Sequence, residues 1–196
     1  MRFKKRANPE SPERVRLGQL HLGQTRLGDG ERVSKGSDMM AALGSLDELN
    51  AFLGLLKSSF TGETRVRRKN SLVVYGAGLA GEEILAQIED WQRTVVKLSG
   101  LVGKAVSEIS LEEEQSRLEA MRLKLRKGMA PPSKFILPGK SFREACWHLA
   151  RTVCRRAERD VCRLLDRPVS LSRLGPVSTF LNRLSEVLWL MSLGEK

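Results

Sequence analysis

The stretch that decides the fold runs from Phe135 to Arg159 and reads FILPGKSFREACWHLARTVCRRAER. It opens with a short apolar loop that ends in Pro138 and Gly139, two residues that interrupt regular structure. Ser141 and Glu144 then stand at the three-residue spacing of a capping box. The sequence therefore predicts a loop of about five residues followed directly by a helix.

One face of this helix is predicted to be buried and a neighbouring face to be charged. Apolar residues at three- and four-residue steps form the buried stripe: Leu149, Val153, Ala157, Val161 and Leu164. The charged face carries Arg151, Arg155, Glu158 and Arg159. Because a guanidinium group binds phosphate through two hydrogen bonds, such a face can hold a polyanion in a fixed pose. A solvated charged face is the alternative, since arginine-rich helix surfaces are common.

Two further segments of the chain also match recognisable sequence patterns. LGSLDELN at 43–50 resembles a helix start with the pattern G-x-x-D-E-L-N, and FLNRLSE at 180–186 resembles the pattern F-x-N-R-L-S-D with Glu186 in place of Asp. Together with FILPG and ARTVCRRAER, these blocks cover the chain from about Thr25 to Met191. In this order they resemble the ATP:corrinoid adenosyltransferases of the trimeric, all-helical type.

The resemblance implies a reaction in which a reduced cobalt attacks the 5′ carbon of ATP and triphosphate leaves. It implies that Arg151 and Arg155 face the triphosphate, and that Glu158 and Asn182 orient the nucleotide or magnesium. Phe135 would pack against the corrin ring and exclude a lower cobalt ligand. ATP, Mg²⁺ and a corrinoid are the expected ligands, and a homotrimer with active sites between subunits is the expected assembly.

Asp47 has two compatible roles. Ser45 and Glu48 have capping-box spacing, which predicts a helix from Leu46 to about Lys57 with Asp47 in its first turn. A carboxylate there complements the helix dipole. The resemblance implies in addition a salt bridge from Asp47 to Arg151 across a subunit boundary.

Residues 17–36 are rich in glycine, and a glycine-rich backbone can cradle phosphate groups with its N–H groups. The resemblance implies that the nucleotide loop lies here, with Thr25 and Lys35 as phosphate contacts. A second register would place residues 25–29 on the same motif, but it requires a deletion of about eight residues. We therefore prefer the first register.

In the preferred register the first half of the loop departs from the family pattern. Leu17 stands where the family has Thr, Leu20 where it has Gly, and His21 where it has Asp. Leucine cannot replace glycine where a phosphate approaches the backbone or where φ is positive. The sequence thus predicts weak ATP binding, and it leaves open a degenerate family member that binds corrinoid or assembles without catalysis.

A different fold is suggested by residues 71–91. SLVVY at 71–75, GAGLAG at 76–81 and a helical pattern from Glu82 have the order strand, G-x-G-x-x-G, helix, which is the dinucleotide-binding fingerprint. That fold needs further parallel strands, and the chain after Val96 is almost entirely helical in pattern. The alternative is a glycine-rich loop or helix interruption within an insertion at about 58–81, where the family is shorter.

The rest of the chain is predicted to be helical. Helix signals run from about Glu82 towards Ile109, restart after Ser110 until Gly128, and return near Pro176. Aromatic residues make up only 5% of the sequence, which favours helix over sheet. We predict an all-α fold, an up-and-down bundle of about five helices in one domain over residues 17–196, preceded by a disordered basic arm at 1–16.

Charge and cysteine usage add weaker expectations. The formal net charge of +11 suits a polyanionic ligand, and a basic helical nucleic-acid-binding protein is the remaining alternative, although no recognisable motif supports it. No run of 18 apolar residues and no signal-peptide core occur, so a cytoplasmic protein without a membrane span is expected. The spacing of Cys146, Cys154 and Cys162 does not suit metal ligands, and reduced thiols without a protein metal site are predicted.

Overall fold

The computed structural model describes residues 23–64, 74–75, 79–127, 129, 132–165 and 171–195. Over these residues the chain forms five helices: α1 (Asp38–Thr64), α2 (Gly81–Val102), α3 (Glu112–Lys127), α4 (Phe142–Leu165) and α5 (Leu171–Leu193). Two antiparallel hairpins accompany them, β1 (Gln24–Arg26) with β2 (Arg32–Ser34) and β3 (Val74–Tyr75) with β4 (Leu79–Ala80). The prediction of an all-α, five-helix fold is confirmed; the predicted arm at 1–16 lies outside the described residues.

The core forms where α4 packs between α1 and α5, with α2 against α1 and α3 against α5. Helix α1 contributes Leu46, Leu49, Leu53 and Leu56, all fully buried. Burying a leucine side chain stabilises the fold by about 1.5–3 kcal/mol, so this stripe alone anchors the helix firmly. Helix α5 contributes a buried stripe of its own: Val177, Phe180, Leu184, Val187, Leu188 and Met191.

Helix α1 differs from its prediction at both ends. It begins at Asp38, with the Ser37 hydroxyl accepting a hydrogen bond from the Met40 N–H (3.4 Å), and it continues to Thr64. Residues 58–64 are therefore helical and not part of a loop. Ser45 is no cap: it is buried inside the helix, where its hydroxyl donates to the Asp160 carboxylate of α4. A serine in mid-helix is accommodated when its hydroxyl finds such a partner.

Asp38–Phe60 in α1 has the length and hydropathy of a membrane span. By length and composition a core helix of this kind passes the same test, and the leucine stripe of α1 packs against the neighbouring helices. The helix also carries charged side chains at Asp47, Glu48 and Lys57. Its buried leucine stripe accounts for part of this apolar character.

The glycine motif at 76–81 does not belong to a dinucleotide-binding unit. Strands β3 and β4 flank Gly76 to Gly78 and pair antiparallel, with Val74 opposite Ala80 and Tyr75 opposite Leu79. A dinucleotide fold requires parallel strands joined by crossover helices. The dinucleotide-binding alternative, already disfavoured for want of further parallel strands, is excluded because its elements match in order but the two strands pair antiparallel.

Helix α5 begins at Leu171, before Pro176, which lies inside it. The predicted start near Pro176 is therefore wrong by more than a turn. Proline lacks the N–H that an interior residue donates, so it usually begins a helix. The carbonyl of Pro176 accepts a hydrogen bond from Gln115 of α3 (3.0 Å), which joins the start of α5 to its neighbour.

Candidate functional site

The loop before α4 is fastened to the helix by one buried carboxylate. The Ser141 hydroxyl accepts the Glu144 N–H at 3.1 Å, as the capping box predicted. Glu144, only 2% exposed, in turn accepts the N–H groups of Gly139 (2.6 Å) and Lys140 (3.2 Å). Gly139 has φ +116°, a conformation that side chains rarely adopt. The loop is thus pinned at its end, while Phe135 at its start is 92% exposed.

The middle of α4 faces α5 across a cleft of about 300 Å³. Its walls are formed by Arg151, Arg155, Asn182, Ser185, Glu186 and Trp189. At its edge the Asn182 amide donates to Glu158 at 2.9 Å. Four of the residues predicted for the site, namely Arg151, Arg155, Glu158 and Asn182, are therefore brought together from two helices.

Arg151 is the most unusual group in this cleft. Its Nε is buried and has no hydrogen-bond partner within the described part of the chain. Burial, and then the neighbouring charge of Arg155, lower the pKa of Arg151. An arginine keeps its proton under such conditions, since its ordinary pKa lies far above neutral pH. The cleft consequently holds a desolvated cation beside a second cation, which an anionic ligand would relieve.

The opposite wall is neutralised by α3. The Glu186 carboxylate lies 2.6 Å from Arg126 and 3.4 Å from Arg122, and Arg183 approaches it at 3.7 Å. Arg122 and Arg126 come from α3, and Arg183 lies on α5 beside Glu186. Although Glu186 lines the cleft, its charge is compensated and Arg151 is left for a ligand.

The stripe of α4 was predicted correctly except at its first position. Leu149 is 41% exposed, whereas the other four predicted residues are buried. The buried face includes Ala150, the residue after Leu149, instead. Cys146 and Cys154, four residues before and after Ala150, lie on the same face and are buried as well. All three cysteines of α4 are free, and within the described residues no three potential metal ligands cluster.

Asp47, Thr25 and Lys35 were also predicted for the site, and they do not line the cleft of this chain. Asp47 is exposed in mid-helix, beyond the first turn of α1, so the dipole role assigned to it is wrong. No ion pair joins it to Arg151 among the described residues. Thr25 lies in β1 opposite Val33, and Lys35 follows β2 with its N–H bonded to the Gly23 carbonyl at 2.8 Å.

The β1–β2 hairpin is instead docked on the end of α2. The Gly28 N–H donates to the Gly103 carbonyl at 2.8 Å. A Cβ on Gly28 would stand 2.3 Å from the Ala105 Cα, so only glycine fits. Arg173 of α5 donates to the carbonyls of Leu101 (3.0 Å) and Val106 (2.8 Å) on the same turn. The hairpin thereby has a fixed place at this end of the bundle.

A second cavity of about 280 Å³ lies beside the loop that contains Phe135. Its lining comes from the loop, from α4 and from the end of α5: Met129, Pro132, Ile136, Lys140, Glu144, Ser192 and Leu193. Apolar and polar side chains share the lining, with the pinned Glu144 carboxylate, Lys140 and Ser192 as its polar members. An apolar ligand edge would fit between the loop and the end of α5.

Comparison with known proteins identifies the family of the chain. The family model Cobalamin adenosyltransferase matches residues 21–194. The chain belongs to this family. It is 29% identical over 177 residues to the cobalamin adenosyltransferase of Cupriavidus metallidurans, covering 87% of this chain and 81% of that protein. It is 31% identical over 171 residues to the corrinoid adenosyltransferase of Bacillus subtilis, covering 84% and 77%.

A solved structure supports the fold of this cobalamin adenosyltransferase family member. A variant of the PduO-type ATP:corrinoid adenosyltransferase from Lactobacillus reuteri, complexed with cobalamin and ATP, superposes with a TM-score of 0.68. The two chains are 23% identical, and the match covers 87% of this chain and 86% of the other. The family prediction made from the three sequence blocks is confirmed.

Family membership also bears on the glycine-rich loop. The family match begins at residue 21, so Leu17 and Leu20 fall outside it and His21 is its first position; all three lie outside the described residues. The second register, over residues 25–29, meets a physical objection. The N–H groups of Leu27, Gly28 and Gly30 are all spent on internal carbonyls and cannot cradle a phosphate.

Three residues of the cleft, Ser185, Glu186 and Trp189, were not predicted for the site. Ser185 and Trp189 follow Asn182 by three and seven residues, the steps that return to the same face of a helix. Helical spacing from Asn182 would have found them. Arg122 and Arg126 had no such signal, because the contact between α3 and α5 depends on how the bundle packs.

Proposed function

We propose that this chain transfers the 5′-deoxyadenosyl group of ATP to the cobalt of a reduced corrinoid and releases triphosphate. The observation that carries the proposal is the cleft that gathers Arg151, Arg155 and Asn182 in a member of the cobalamin adenosyltransferase family. In the reaction the electron pair of cobalt(I) forms a bond to C5′ of ATP. The bond from C5′ to the phosphate oxygen breaks, its electrons leave with triphosphate, and cobalt becomes formally cobalt(III).

The protein contributes position and charge. Arg151 and Arg155 would bind the triphosphate, and their stabilisation would grow as negative charge develops on the leaving group. Holding the two substrates together lowers the entropic barrier of the encounter. Phe135 would pack against the corrin ring, a role that its exposure at the loop start permits.

Magnesium would accompany the nucleotide at the edge of the cleft. Mg²⁺ prefers oxygen ligands and takes few of them from the protein beside substrate phosphates. Glu158 offers a carboxylate there, and Asn182 offers an amide oxygen because its amide nitrogen already donates to Glu158. This pair fits the ion, which when bound would neutralise phosphate charge.

The active site would be completed by a second subunit in a homotrimer. Thr25, Lys35 and Asp47 do not line the cleft of their own chain, whereas all three are accessible to a neighbour. If Asp47 pairs with Arg151 between subunits, Asp47→Asn will weaken both assembly and turnover. A charge-swapped double variant will recover part of the loss. Sedimentation that shows a stable, active monomer would remove this part of the proposal.

The test of the reaction is turnover of chemically reduced cobalamin with ATP and Mg²⁺, followed by absorbance and by release of triphosphate. Formation of adenosylcobalamin is expected, in a cytoplasmic setting of reduced thiols. Binding of cobalamin without product would favour the degenerate member suggested by Leu17 and Leu20. The nucleic-acid alternative rested on net charge, and salt-dependent DNA binding without turnover would be its signature.

A further inference from the structure

A carboxylate that no substrate role requires is buried next to the loop before α4. Glu195 follows α5, and its side chain is only 5% exposed. Its two oxygens lie 3.0 and 2.9 Å from Nε of Arg143, and the first also accepts the indole N–H of Trp147 at 2.9 Å. A charge removed from water in this way is retained only with such complete pairing.

The partners of Glu195 connect it to the rest of the bundle. The Arg143 guanidinium lies 4.9 Å from the ring centroid of Phe60 in α1. Trp147 packs edge-on against Phe60 at 5.9 Å and against Trp91 of α2 at 6.5 Å. The cluster fixes the first turns of α4 to α1, to α2 and to the segment after α5. We call Glu195, Arg143 and Trp147 the Glu195 clamp.

The clamp is adjacent to both walls of the second cavity. Glu144, next in the chain after the clamp arginine, holds the N–H groups of Gly139 and Lys140 and so sets the end of the loop. Ser192 and Leu193, just before the clamp carboxylate, form the facing wall. A single ion pair therefore fixes the separation between the loop and the end of α5.

The clamp is also separate from the phosphate-binding cleft. Arg151 and Arg155 lie about one and two turns beyond Trp147, and the residues that line the cleft include none of the clamp. A change in the clamp is consequently expected to reach the loop before it reaches the arginines.

We propose that Glu195 is a positioning residue for the corrinoid: the clamp holds the loop at 135–139 and the end of α5 at the separation that receives the corrin ring. This inference rests on the proposed function, because it presumes that the loop contacts a corrinoid. It assigns to Glu195 an effect on the corrinoid and not on ATP.

The experiment compares the full native chain with Glu195→Gln, which keeps the size of the side chain and removes its charge. Glu113→Gln is the matched control, because Glu113 is an exposed partner of Arg117 on α3 (3.4 Å) and touches neither site. Equilibrium dialysis gives the Kd for cob(II)alamin, calorimetry gives the Kd for ATP, and turnover gives KM for each substrate. Circular dichroism checks the fold, and tryptophan emission reports any change in the surroundings of the Trp147 indole, which donates to residue 195.

We expect Glu195→Gln to raise the Kd and KM for the corrinoid about tenfold, with those for ATP within about twofold of native and the control unchanged. An unchanged Kd and KM for the corrinoid, together with an altered tryptophan emission, would overturn this inference and leave the proposed function standing. Equal losses for ATP and corrinoid would also overturn it, because they indicate a general loss of structure. A native chain that neither binds cobalamin nor turns over would instead overturn the proposed function, and the inference with it.

Discussion

Replacement of Arg155 by alanine is the most direct test of the cleft. Arg155 is exposed on α4 and lines the cleft beside Arg151 and Asn182. In the unliganded protein its removal deletes a surface cation that already raises the electrostatic cost of Arg151. The free energy of unfolding should therefore change by no more than about 1 kcal/mol.

The effect on the reaction should be much larger. A guanidinium group that faces a triphosphate makes charge-assisted hydrogen bonds that strengthen as the leaving group gains charge. Removal of one such donor from an active site costs about 2.7–4 kcal/mol, or roughly 10²–10³ in kcat. The experiment therefore compares the loss of kcat, expressed as a free energy, with the change in the free energy of unfolding.

Arg159→Ala is the matched control for Arg155→Ala. Arg159 is exposed one turn further along α4, where its guanidinium donates to the Arg155 carbonyl at 3.1 Å, and it is not among the residues that line the cleft. Urea unfolding gives the stability of both variants, and the absorbance assay gives kcat and KM. Native kinetics in a folded Arg155→Ala variant, or equal losses in the two variants, would refute the assignment of this cleft to the triphosphate.

Three further variants test the surroundings of the site. Gly28→Ala should destabilise the protein by about 1–3 kcal/mol in urea unfolding, because its Cβ meets the backbone of the turn after α2. Gly44→Ala, whose Cβ meets nothing within 4 Å in mid-helix, should be neutral or stabilising and serves as the control. The double variant Leu20→Gly, His21→Asp should tighten ATP binding at least tenfold in calorimetry; micromolar binding by the native chain without such a gain would reject the preferred loop register. Burial lowers the pKa of His148 below its unfolded value of about 6.5, so the unfolded state binds the extra proton and stability falls as pH drops below that value. His148→Gln should flatten this fall in pH-dependent urea unfolding, and an identical fall in both proteins would contradict it.

Local signals predicted those parts of the fold that depend on local chemistry. Ser141 and Glu144 form the cap of α4 as their spacing indicates, since the groups that satisfy them lie within a few residues. The same spacing at Ser45 and Glu48 failed. The Ser45 hydroxyl is satisfied by Asp160, which is 115 residues away, and a sequence motif does not reveal such a partner.

The candidate site was predictable to the extent that it lies on one helix face. Arg151 and Arg155 are one turn apart, so periodicity alone places them together. Their meeting with Asn182 came from family resemblance, because it depends on the packing of α4 against α5. The glycine motif at 76–81 shows the converse: order along the chain matched a known fingerprint, but the pairing of strands decides the fold.

Arg151 explains why the site of one chain needs an outside group. Its buried Nε lacks a partner among the described residues, and an unsatisfied buried donor costs about 1–3 kcal/mol. Glu186, which lines the cleft, is engaged by Arg126, and no ion pair joins Asp47 of the same chain to Arg151 among the described residues. The cost is recovered when an anion arrives from outside the chain. A triphosphate and the carboxylate of a second subunit can each supply one, so the proposed reaction and the proposed assembly meet at this side chain.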